Sequence, residues 1–174
     1  IDVSGHGVTA ALLTAQLAGY LSSSSPDQNL ALEPCAKGAF CARPPEDVVS
    51  QLNTLMFEDM ETDHYFTIAL AVLDLESGDV RLTQAGHPHP QVLKADGTCE
   101  LVGDGGLPVG LIPGAPYNSS GFRLSPGDRL MLCSDGVTEC PLRGGGDALF
   151  DDDGLSRFLT AHRKLDGPAL LEAL

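Results

Sequence analysis

Two aspartates lie on glycine turns near opposite ends of the sequence. Asp2 begins the motif D-V-S-G-H-G at residues 2–7, and Asp135 follows the apolar run 130–133 and precedes Gly136. Carboxylate oxygens are the preferred ligands of hard cations such as magnesium and manganese. Glycines let the backbone approach a ligand closely, and the amides at a helix start favour a bound anion. The pattern therefore predicts a site for a cation or a phosphate at these turns.

The chemistry of such a pair depends on whether the two turns meet in space. Two divalent ions roughly 3.5–4 Å apart can activate a shared water and hold a phosphoryl oxygen. Asp2 and Asp135 at adjacent strand ends would suit that arrangement. Taken singly, either aspartate is more often an ordinary turn residue, because Asp-Gly and Ser-Asp-Gly are common turn sequences. Residue type alone leaves both interpretations open.

Length and charge restrict the class of protein. The 174 residues suffice for one domain with a substantial core. The formal net charge is -14, from 24 acidic and 10 basic residues, which disfavours nucleic acid or an anionic membrane as a partner. Residues 8–25 are uncharged, but their threonines, glutamine and serines predict a buried helix and not a membrane insertion.

The cysteines predict a redox compartment. The five cysteines are Cys35, Cys41, Cys99, Cys133 and Cys140. Their number is odd, and none of them is in a C-x-x-C motif. We therefore expect reduced thiols in a cytoplasmic protein. We expect neither a disulfide framework nor a zinc site. The sequence opens on an acidic motif and shows no basic segment of the kind that begins a signal peptide. Cytoplasmic localisation is the resulting expectation.

Helices are predicted near both ends of the sequence and before its strands. The first is expected to start near Val8, with one apolar face formed by Ala10, Leu13, Leu17, Tyr20 and Leu21. A second is expected to begin at Pro44-Pro45, where the acidic residues that follow suit the positive end of a helix. Residues 26–44 show no period and predict a loop, and residues 168–174 predict a final helix.

Three hairpins are predicted between the helices. The predicted strand pairs are 65–75 with 80–83, 91–94 with 99–102, and 122–124 with 129–133. The first strand is almost continuously apolar, which predicts a central strand buried on both faces. The turns between the paired strands contain Gly and Asp, as hairpin turns commonly do. Successive hairpins with helices near both ends predict an α+β fold, in which helices cover an antiparallel sheet.

Six motifs, taken in order along the chain, resemble those of one known family. They are D-V-S-G-H-G with the alanine- and leucine-rich segment after it, Phe66-Thr67, A-G-H-P-H-P at 85–90, G-L-P-V-G-L at 106–111, S-P-G-D at 125–128 and S-D-G-V-T-E at 134–139. The set resembles the metal-dependent 2C-type (PPM) protein serine/threonine phosphatases, and most closely their bacterial sporulation-phosphatase (SpoIIE-type) branch. Because the resemblance runs from residue 2 to about residue 155, it outweighs the turn interpretation of either aspartate alone.

The resemblance implies a fold, a cofactor and a set of site residues. The fold would be an αββα sandwich of two antiparallel sheets between helical layers, with two Mn²⁺ or Mg²⁺ ions between the sheets. Asp2 matches the metal-bridging aspartate of the family, the backbone carbonyl of Val3 matches its backbone ligand, and Asp135 matches the aspartate of its later S/T-D-G motif. The implied reaction is hydrolysis of phosphoserine or phosphothreonine by a metal-bound water, without a phosphoenzyme.

The resemblance also implies a partner and a domain context. The usual substrate of this branch is a phosphorylated anti-sigma factor antagonist with a STAS domain, in a partner-switching pathway. Two strands of the family that carry further acidic residues have no match here, so residues 1–174 are expected to be a single domain truncated at both ends. That domain would be the output of a larger protein with an upstream sensor or receiver domain.

The unmatched acidic residues keep a second function open. A catalytically silent module would bind the same kind of partner without turning it over. With few protein ligands remaining, residues 1–174 are also expected to bind metal weakly, because clustered carboxylates without a cation repel one another. The enzyme remains the primary prediction, since Asp2 and Asp135 are both present.

Histidines and a second acidic run supply further candidates. His6 could donate a proton to the leaving oxygen, although a role in the turn is slightly favoured. His87 and His89 would share a face on a strand, as metal ligands do, but the proline after each favours loop residues that pack near the site. Residues 151–153 resemble a cation loop but lack the spacing of a calcium hand, so a helix cap is the simpler interpretation.

Overall fold

The computed structural model describes residues 1–58, 60, 63–142 and 148–174. In chain order the strands are β1 (Asp2–Val3), β2 (Leu32–Pro34), β3 (Phe40–Ala42), β4 (Phe66–Leu73), β5 (Asp79–Ala85), β6 (Gln91–Leu93), β7 (Cys99–Leu101), β8 (Ser120–Arg123) and β9 (Arg129–Met131). The α-helices are α1 (Val8–Ser22), α2 (Pro45–Glu58), α3 (Asp135–Thr138), α4 (Asp151–Ala161) and α5 (Gly167–Ala173).

Two antiparallel sheets organise these elements. The larger sheet has four strands in the order β1-β4-β5-β8, and the smaller has three in the order β7-β6-β9. In the larger sheet the β4–β5 register runs from Ile68 opposite Ala85 to Leu73 opposite Val80. Alternate side chains of a strand point to opposite faces, so this register decides which of them meet the helices. The α+β prediction is confirmed.

The first core lies where α1 and α2 cover the larger sheet. Val48, Leu52 and Met56 repeat at helical spacing on α2, and all three are buried. Leu13 and Leu17 extend the same core from α1. Full burial of a side chain of this size contributes about 1.5–3 kcal/mol, so these contacts hold both helices against the strands that carry Asp2.

The second core lies between the smaller sheet and the helices α4 and α5. Its buried members are Leu93, Leu155, Leu159 and Leu170. Gln91 on β6 is fully buried beside them, and its Nε2 donates to the Asp152 carbonyl at 2.9 Å. Its Oε1 accepts from Ser156 Oγ at 2.9 Å, so the buried amide is hydrogen-bonded at both ends. Each sheet thus carries its own helical layer.

Both long helices begin where the sequence predicts them. α1 starts at Val8, and the predicted face is buried or packed against the core. The helix is buried on that face only, because Val8 is 77% exposed and Leu12 is 65% exposed. None of the helices in the described part of the chain combines the length and the apolar character needed to cross a membrane. The last predicted helix is found as α5.

Two of the three predicted hairpins are confirmed, and the third is wrong. β4 pairs with β5 and β6 pairs with β7, as predicted. Residues 122–124 and 129–133 were expected to pair with each other, but β8 pairs with β5 in the larger sheet, whereas β9 pairs with β6 in the smaller. The chain therefore changes sheets between β8 and β9, and this change brings the segment before Asp135 to its place.

Asp128 holds the corner between β8 and β9. Its carboxylate accepts hydrogen bonds from the N–H of Ser125 at 3.0 Å and from the N–H of Ala95 at 2.9 Å. Lys94 Nζ lies 3.6 Å from the same carboxylate. These contacts tie the corner to the turn of the β6–β7 hairpin. The sequence of the turn at residues 125–128 does not predict these contacts, because Lys94 and Ala95 come from another hairpin.

The predictions for residues 26–44 and for the cysteines need correction. β2 and β3 form a hairpin in the predicted loop, with Glu33 opposite Cys41. Cys35 and Cys41 form a disulfide across this hairpin, with their Cα atoms 5.8 Å apart. The expectation of reduced thiols is therefore wrong for this pair, because the hairpin closes a short loop and brings both sulfurs together. Cys99, Cys133 and Cys140 are free thiols.

The prediction that the strand at residues 65–75 is buried on both faces holds only in part. Phe66 and Ile68, at the start of β4, are 0% and 2% exposed. Toward the other end of the strand Leu73 is 43% exposed. Only the end of β4 that pairs with β1 lies in the core, and this is the end that positions Asp2.

Candidate metal site between the two sheets

Asp2 is held at the edge of the larger sheet by the pairing of β1 with β4. It lies directly opposite Thr67 in that pairing. Just beyond the strand, the Ser4 N–H donates to the Tyr65 carbonyl at 2.9 Å, and Ser4 Oγ accepts from the Tyr65 N–H at 3.0 Å. The backbone on both sides of Val3 is therefore anchored to β4, and the position of the Asp2 carboxylate follows from the sheet.

The Val3 carbonyl points to the free edge of the sheet. In an antiparallel pair, residues that exchange hydrogen bonds alternate with residues that do not. Ser4 bonds to Tyr65, so Val3 and Phe66 form a pair of the second kind, and Phe66 exchanges hydrogen bonds of 3.0 and 2.8 Å with Val109 instead. Because β1 is an edge strand, the Val3 carbonyl is directed away from β4.

The turn after β1 requires glycine and leads directly into α1. Gly5 has a φ of 82°, and a Cβ placed there would lie 3.0 Å from His64 Cε1. Both its positive φ and this close contact favour glycine at this position. Gly7 precedes α1, and its carbonyl accepts from the Ala11 N–H at 3.1 Å. His6 is exposed on this turn, next to the motif that carries Asp2.

Asp135 is reached from the smaller sheet. β9 ends at Met131, and residues 132–134 lead to Asp135, the first residue of α3. The Glu139 N–H donates to the Asp135 carbonyl at 2.7 Å and closes this single helical turn. The short helix thus sets the direction in which the Asp135 side chain leaves the backbone.

A cleft of about 340 Å³ lies between the start of β1, the strand β4 and the segment after β9. It is lined by Ile1, Ala69, His87, Leu132, Cys133 and Ser134. The lining residue Ile1 immediately precedes Asp2, and the lining residue Ser134 immediately precedes Asp135. Both acidic motifs therefore border the same cleft, although they lie far apart in the sequence.

His87 is the buried polar group of this cleft. The residue is only 9% exposed, and its Nδ1 lies 2.8 Å from Thr67 Oγ1. Cys133 lines the same cleft, and its backbone carbonyl raises the pKa of the His87 ring. Burial lowers the pKa of His87. A neutral ring is therefore favoured near pH 7.

The two aspartates act together on that ring. The carboxylates of Asp2 and Asp135 both raise the pKa of His87, against the larger effect of burial. Opposite charges affect a pKa in this way only when they lie near the titrating group. Both carboxylates therefore lie within electrostatic range of His87, and both motifs border the cleft that it lines.

A third acidic residue lies near Cys133. Burial raises the pKa of the Cys133 thiol, and the carboxylate of Asp152 raises it further. Asp152 Oδ1 is buried, and among the described residues it has no hydrogen-bond partner. Its neighbour Asp151 accepts from the Gly154 N–H at 2.7 Å at the start of α4. The acidic run was predicted to cap the helix, but it forms the first turn of α4, and within that turn the Asp151 side chain accepts the Gly154 N–H.

The donor atoms at the cleft suit a hard cation. Asp2 and Asp135 offer carboxylate oxygens, and the Val3 carbonyl lies on the open edge of β1. Within the described ranges, no three His, Cys, Asp or Glu side chains are grouped closely enough to hold a metal by themselves. An oxygen set with few protein ligands fits Mg²⁺ or Mn²⁺, which keep several waters, better than the nitrogen and sulfur sites of Zn²⁺.

A larger groove of about 570 Å³ lies between α3, α4 and α5. Its lining is mostly apolar and includes Val137, Phe150, Phe158 and Leu171. Of the two acidic motifs only that of Asp135 borders this groove, through Gly136, whereas both motifs border the smaller cleft. The smaller cleft at His87 is therefore the candidate site.

Comparison with known proteins decides the family. The family model described as Stage II sporulation protein E (SpoIIE) matches residues 1–174. The chain belongs to the SpoIIE family. The resemblance carried by the six motifs is thereby confirmed, and it extends over the whole of this SpoIIE-family chain.

Two curated relatives of this SpoIIE-family chain are phosphatases. Phosphoserine phosphatase RsbP of Bacillus subtilis (strain 168) is 26% identical over 139 residues, which are 80% of this chain and 32% of RsbP. Phosphoserine phosphatase RsbU of the same strain is 26% identical over 145 residues, which are 83% of this chain and 39% of RsbU. The chain thus spans roughly a third of the length of these relatives.

Solved structures place the SpoIIE-family chain in the PP2C fold. The SiaA-PP2C domain of Pseudomonas aeruginosa is similar with a TM-score of 0.74 and 19% identity, over 98% of this chain and 63% of that one. The structure of the RsbU and RsbW domains of Rv1364c from Mycobacterium tuberculosis is similar with a TM-score of 0.61 and 24% identity, over 93% of this chain and 40% of that one. At such identities the likeness concerns the fold.

The sequence did not reveal every residue of the site. Thr67 belongs to a family motif, but nothing in its local sequence indicates that it lies opposite Asp2 or contacts His87. His87, which its flanking prolines predicted to be a loop residue near the site, lines the candidate cleft. His89 lies elsewhere, with Nδ1 3.4 Å from the Val102 carbonyl.

Proposed function

We propose that this chain is a metal-dependent protein phosphatase domain that hydrolyses phosphoserine or phosphothreonine on a regulatory protein. The observation that supports this most is that the motifs of Asp2 and Asp135 border one cleft, which His87 also lines. A pair of carboxylates at one cleft is the donor set that a phosphoryl-transfer site with divalent ions needs. The phosphoserine phosphatases RsbP and RsbU, similar over most of this chain, support the same reaction.

In the proposed mechanism Asp2, the Val3 carbonyl and Asp135 would hold two Mn²⁺ or Mg²⁺ ions. When bound, such ions supply an activated water and neutralise the charge on the phosphoryl oxygens. The β1–β4 pairing holds Asp2 and the short helix α3 holds Asp135, so their carboxylates are placed before any ligand arrives. His6, exposed on the turn after Asp2, is the candidate proton donor to the leaving oxygen.

The proposed substrate is a phosphorylated anti-sigma factor antagonist with a STAS domain. The similarity to RsbP and RsbU supports a role in partner switching, and so does the similarity to a structure that contains RsbU and RsbW domains. A cytoplasmic location and an upstream sensor or receiver domain belong to the same proposal. The chain covers 32% of RsbP and 39% of RsbU. In this proposal the upstream domain would control the phosphatase activity.

Phosphate release from a phosphoserine STAS protein tests the proposal. The assay uses millimolar Mn²⁺, because a site with few protein ligands is expected to bind metal weakly. We expect release with Mn²⁺ or Mg²⁺, none with a chelator, and recovery on adding either ion. Recovery by Zn²⁺ alone, lost on thiol modification, would implicate cysteines or histidines and contradict the oxygen site.

The second candidate is a silent module that binds the phosphoprotein without turnover. It is favoured by one observation, that within the described ranges no three potential ligands are grouped tightly. The same samples distinguish the two functions when binding and phosphate release are measured together. Saturable binding of the phosphoprotein without release at any Mn²⁺ or Mg²⁺ concentration would establish the silent module and overturn the enzyme.

A further inference from the structure

We propose that His87 is a positioning residue that joins the two sheets across the candidate site and so sets the separation of Asp2 and Asp135. The proposal rests on the metal-dependent function proposed above. His87 would bind neither a metal ion nor the substrate. Its role would be exerted through two neighbours, Thr67 on β4 of the larger sheet and Cys133 in the segment that follows β9 of the smaller sheet.

The contact with the larger sheet is the hydrogen bond between His87 Nδ1 and Thr67 Oγ1, at 2.8 Å. Thr67 lies opposite Asp2 in the β1–β4 pairing, and that pairing is only two residues long on the β1 side. Directly opposite residues of an antiparallel pair have their side chains side by side on one face of the sheet. A Thr67 side chain held in place by His87 therefore restricts the position of Asp2, its pairing partner on β1.

On the side of the smaller sheet, His87 and Cys133 line the same cleft, and the Cys133 backbone lies near enough to the His87 ring to raise its pKa. Cys133 is followed by Ser134 and then by Asp135, the first residue of α3. The segment between β9 and α3 has no strand partner in the described sheets, since β9 ends at Met131. His87 supplies a fixed point within that segment.

The chemistry of the ring matches these two partners. A neutral imidazole has one donor nitrogen and one acceptor nitrogen. The Thr67 hydroxyl can donate to Nδ1, and the Cys133 carbonyl can accept from the other nitrogen, so a neutral ring satisfies both partners at once. Burial lowers the pKa of His87 and thereby favours this neutral form.

The backbone of His87 is itself held in place. Gly86 has a φ of 68°, and a Cβ there would lie 2.6 Å from Pro108 Cγ, so the chain passes too close to residue 108 for a side chain. The buried Gln84 donates from Nε2 to the His87 carbonyl and accepts at Oε1 from the Gly105 N–H at 2.9 Å. Pro88 restricts the backbone on the other side. A ring on so fixed a backbone can set the position of its neighbours.

Binding of Mn²⁺ tests this role without relying on turnover. Residues that orient metal ligands typically contribute 10–100-fold to affinity or activity when removed. For His87→Ala we expect the dissociation constant for Mn²⁺, followed by the EPR signal of free Mn²⁺, to rise about tenfold. Thr67→Val, which removes the hydroxyl and keeps the shape, should weaken binding in the same direction, and Thr67→Ser should restore it.

Two controls separate positioning from stability. His89→Ala changes a histidine of the same segment that contacts Val102 instead, and should leave the Mn²⁺ affinity unchanged. Asn53→Ala removes a buried hydrogen-bonding side chain of α2. It should lower the free energy of unfolding without changing the Mn²⁺ affinity. The double variant of Thr67→Val and His87→Ala should bind Mn²⁺ no more weakly than His87→Ala alone, because both act through one contact.

The outcomes distinguish the two proposals. A folded His87→Ala protein with wild-type Mn²⁺ affinity would overturn the positioning role, and so would additive effects in the double variant. A wild-type protein that binds Mn²⁺ but releases no phosphate would overturn the proposed enzyme, whereas weakened binding in the variants would still support positioning. A wild-type protein that binds no Mn²⁺ at millimolar concentration would overturn both.

Discussion

Thr67 lies directly opposite Asp2 in the β1–β4 pairing, and its hydroxyl lies 2.8 Å from His87 Nδ1. One strand residue therefore links the first acidic motif to the buried histidine of the cleft. The same residue shares its cleft with Cys133 and Ser134, which lie just before the second aspartate. The two aspartates are thus related through a short chain of side-chain and backbone contacts, and this relationship gives the proposed site a testable geometry.

Replacing either aspartate by asparagine should abolish phosphatase activity and leave the fold intact. Asp2→Asn and Asp135→Asn keep the size of the side chain but remove the charge that a divalent ion needs. We expect kcat/KM to fall at least 100-fold, which corresponds to about 2.7 kcal/mol of transition-state stabilisation. Phosphate release from the phosphoserine STAS protein measures this, and circular dichroism checks the fold.

The matched control for these variants is Asp27→Asn, which changes an exposed aspartate in the short 3-10 helix after α1. It should keep wild-type activity. If Asp2→Asn or Asp135→Asn retained activity within about threefold of the wild type, the assignment of these carboxylates to the metal site would be untenable, since one lost ligand costs more than that.

Asn53→Leu should destabilise the protein by about 2–3 kcal/mol, because it leaves buried polar groups unpaired. Asn53 is 2% exposed, and its side chain bonds Gly110 N–H at 2.8 Å, the Ile112 carbonyl at 3.1 Å and Tyr117 OH at 3.2 Å. Urea unfolding measures the change. The exposed Asn118→Leu is the control, and an equal loss in both variants would contradict the role of Asn53.

Asp128→Asn should flatten the acid side of the stability curve. The pKa of Asp128 is lowered from its ordinary value of 3.8, first by the Ser125 N–H and then by the Ala95 N–H. Its contribution to stability is therefore present above pH 3.8 and lost as the pH falls through the lower folded value. Urea midpoints between about pH 5 and pH 2 should fall less steeply for the variant than for the wild type. Parallel curves would show that this carboxylate does not hold the corner.

Alkylation under non-reducing conditions should label only some of the cysteines. After denaturation without a reductant, we expect iodoacetamide to modify Cys99, Cys133 and Cys140, whereas Cys35 and Cys41 react only after reduction. Mass spectrometry of the peptides reads this directly. Labelling of Cys35 in the unreduced sample would restore the expectation of reduced thiols.

The acidic motifs and the helices could be predicted because their signals are local. Asp2 and Asp135 were identified from residue types and glycine turns, and α1 and α2 from apolar periodicity within a single segment. The family followed from the order of the motifs. The pairing of β4 with β5 and of β6 with β7 could also be predicted, because the strands of each pair are adjacent in sequence and joined by a short turn.

Only the tertiary structure decided which distant segments meet. The change of sheet at Asp128 is set by partners on another hairpin, and the disulfide between Cys35 and Cys41 forms because β2 and β3 pair. The contacts of His87 with Thr67 and Cys133 likewise join three segments that no local period relates. Strand register and sheet-to-sheet contact depend on long-range packing, since one pattern of residues is compatible with several pairings until the whole core is buried.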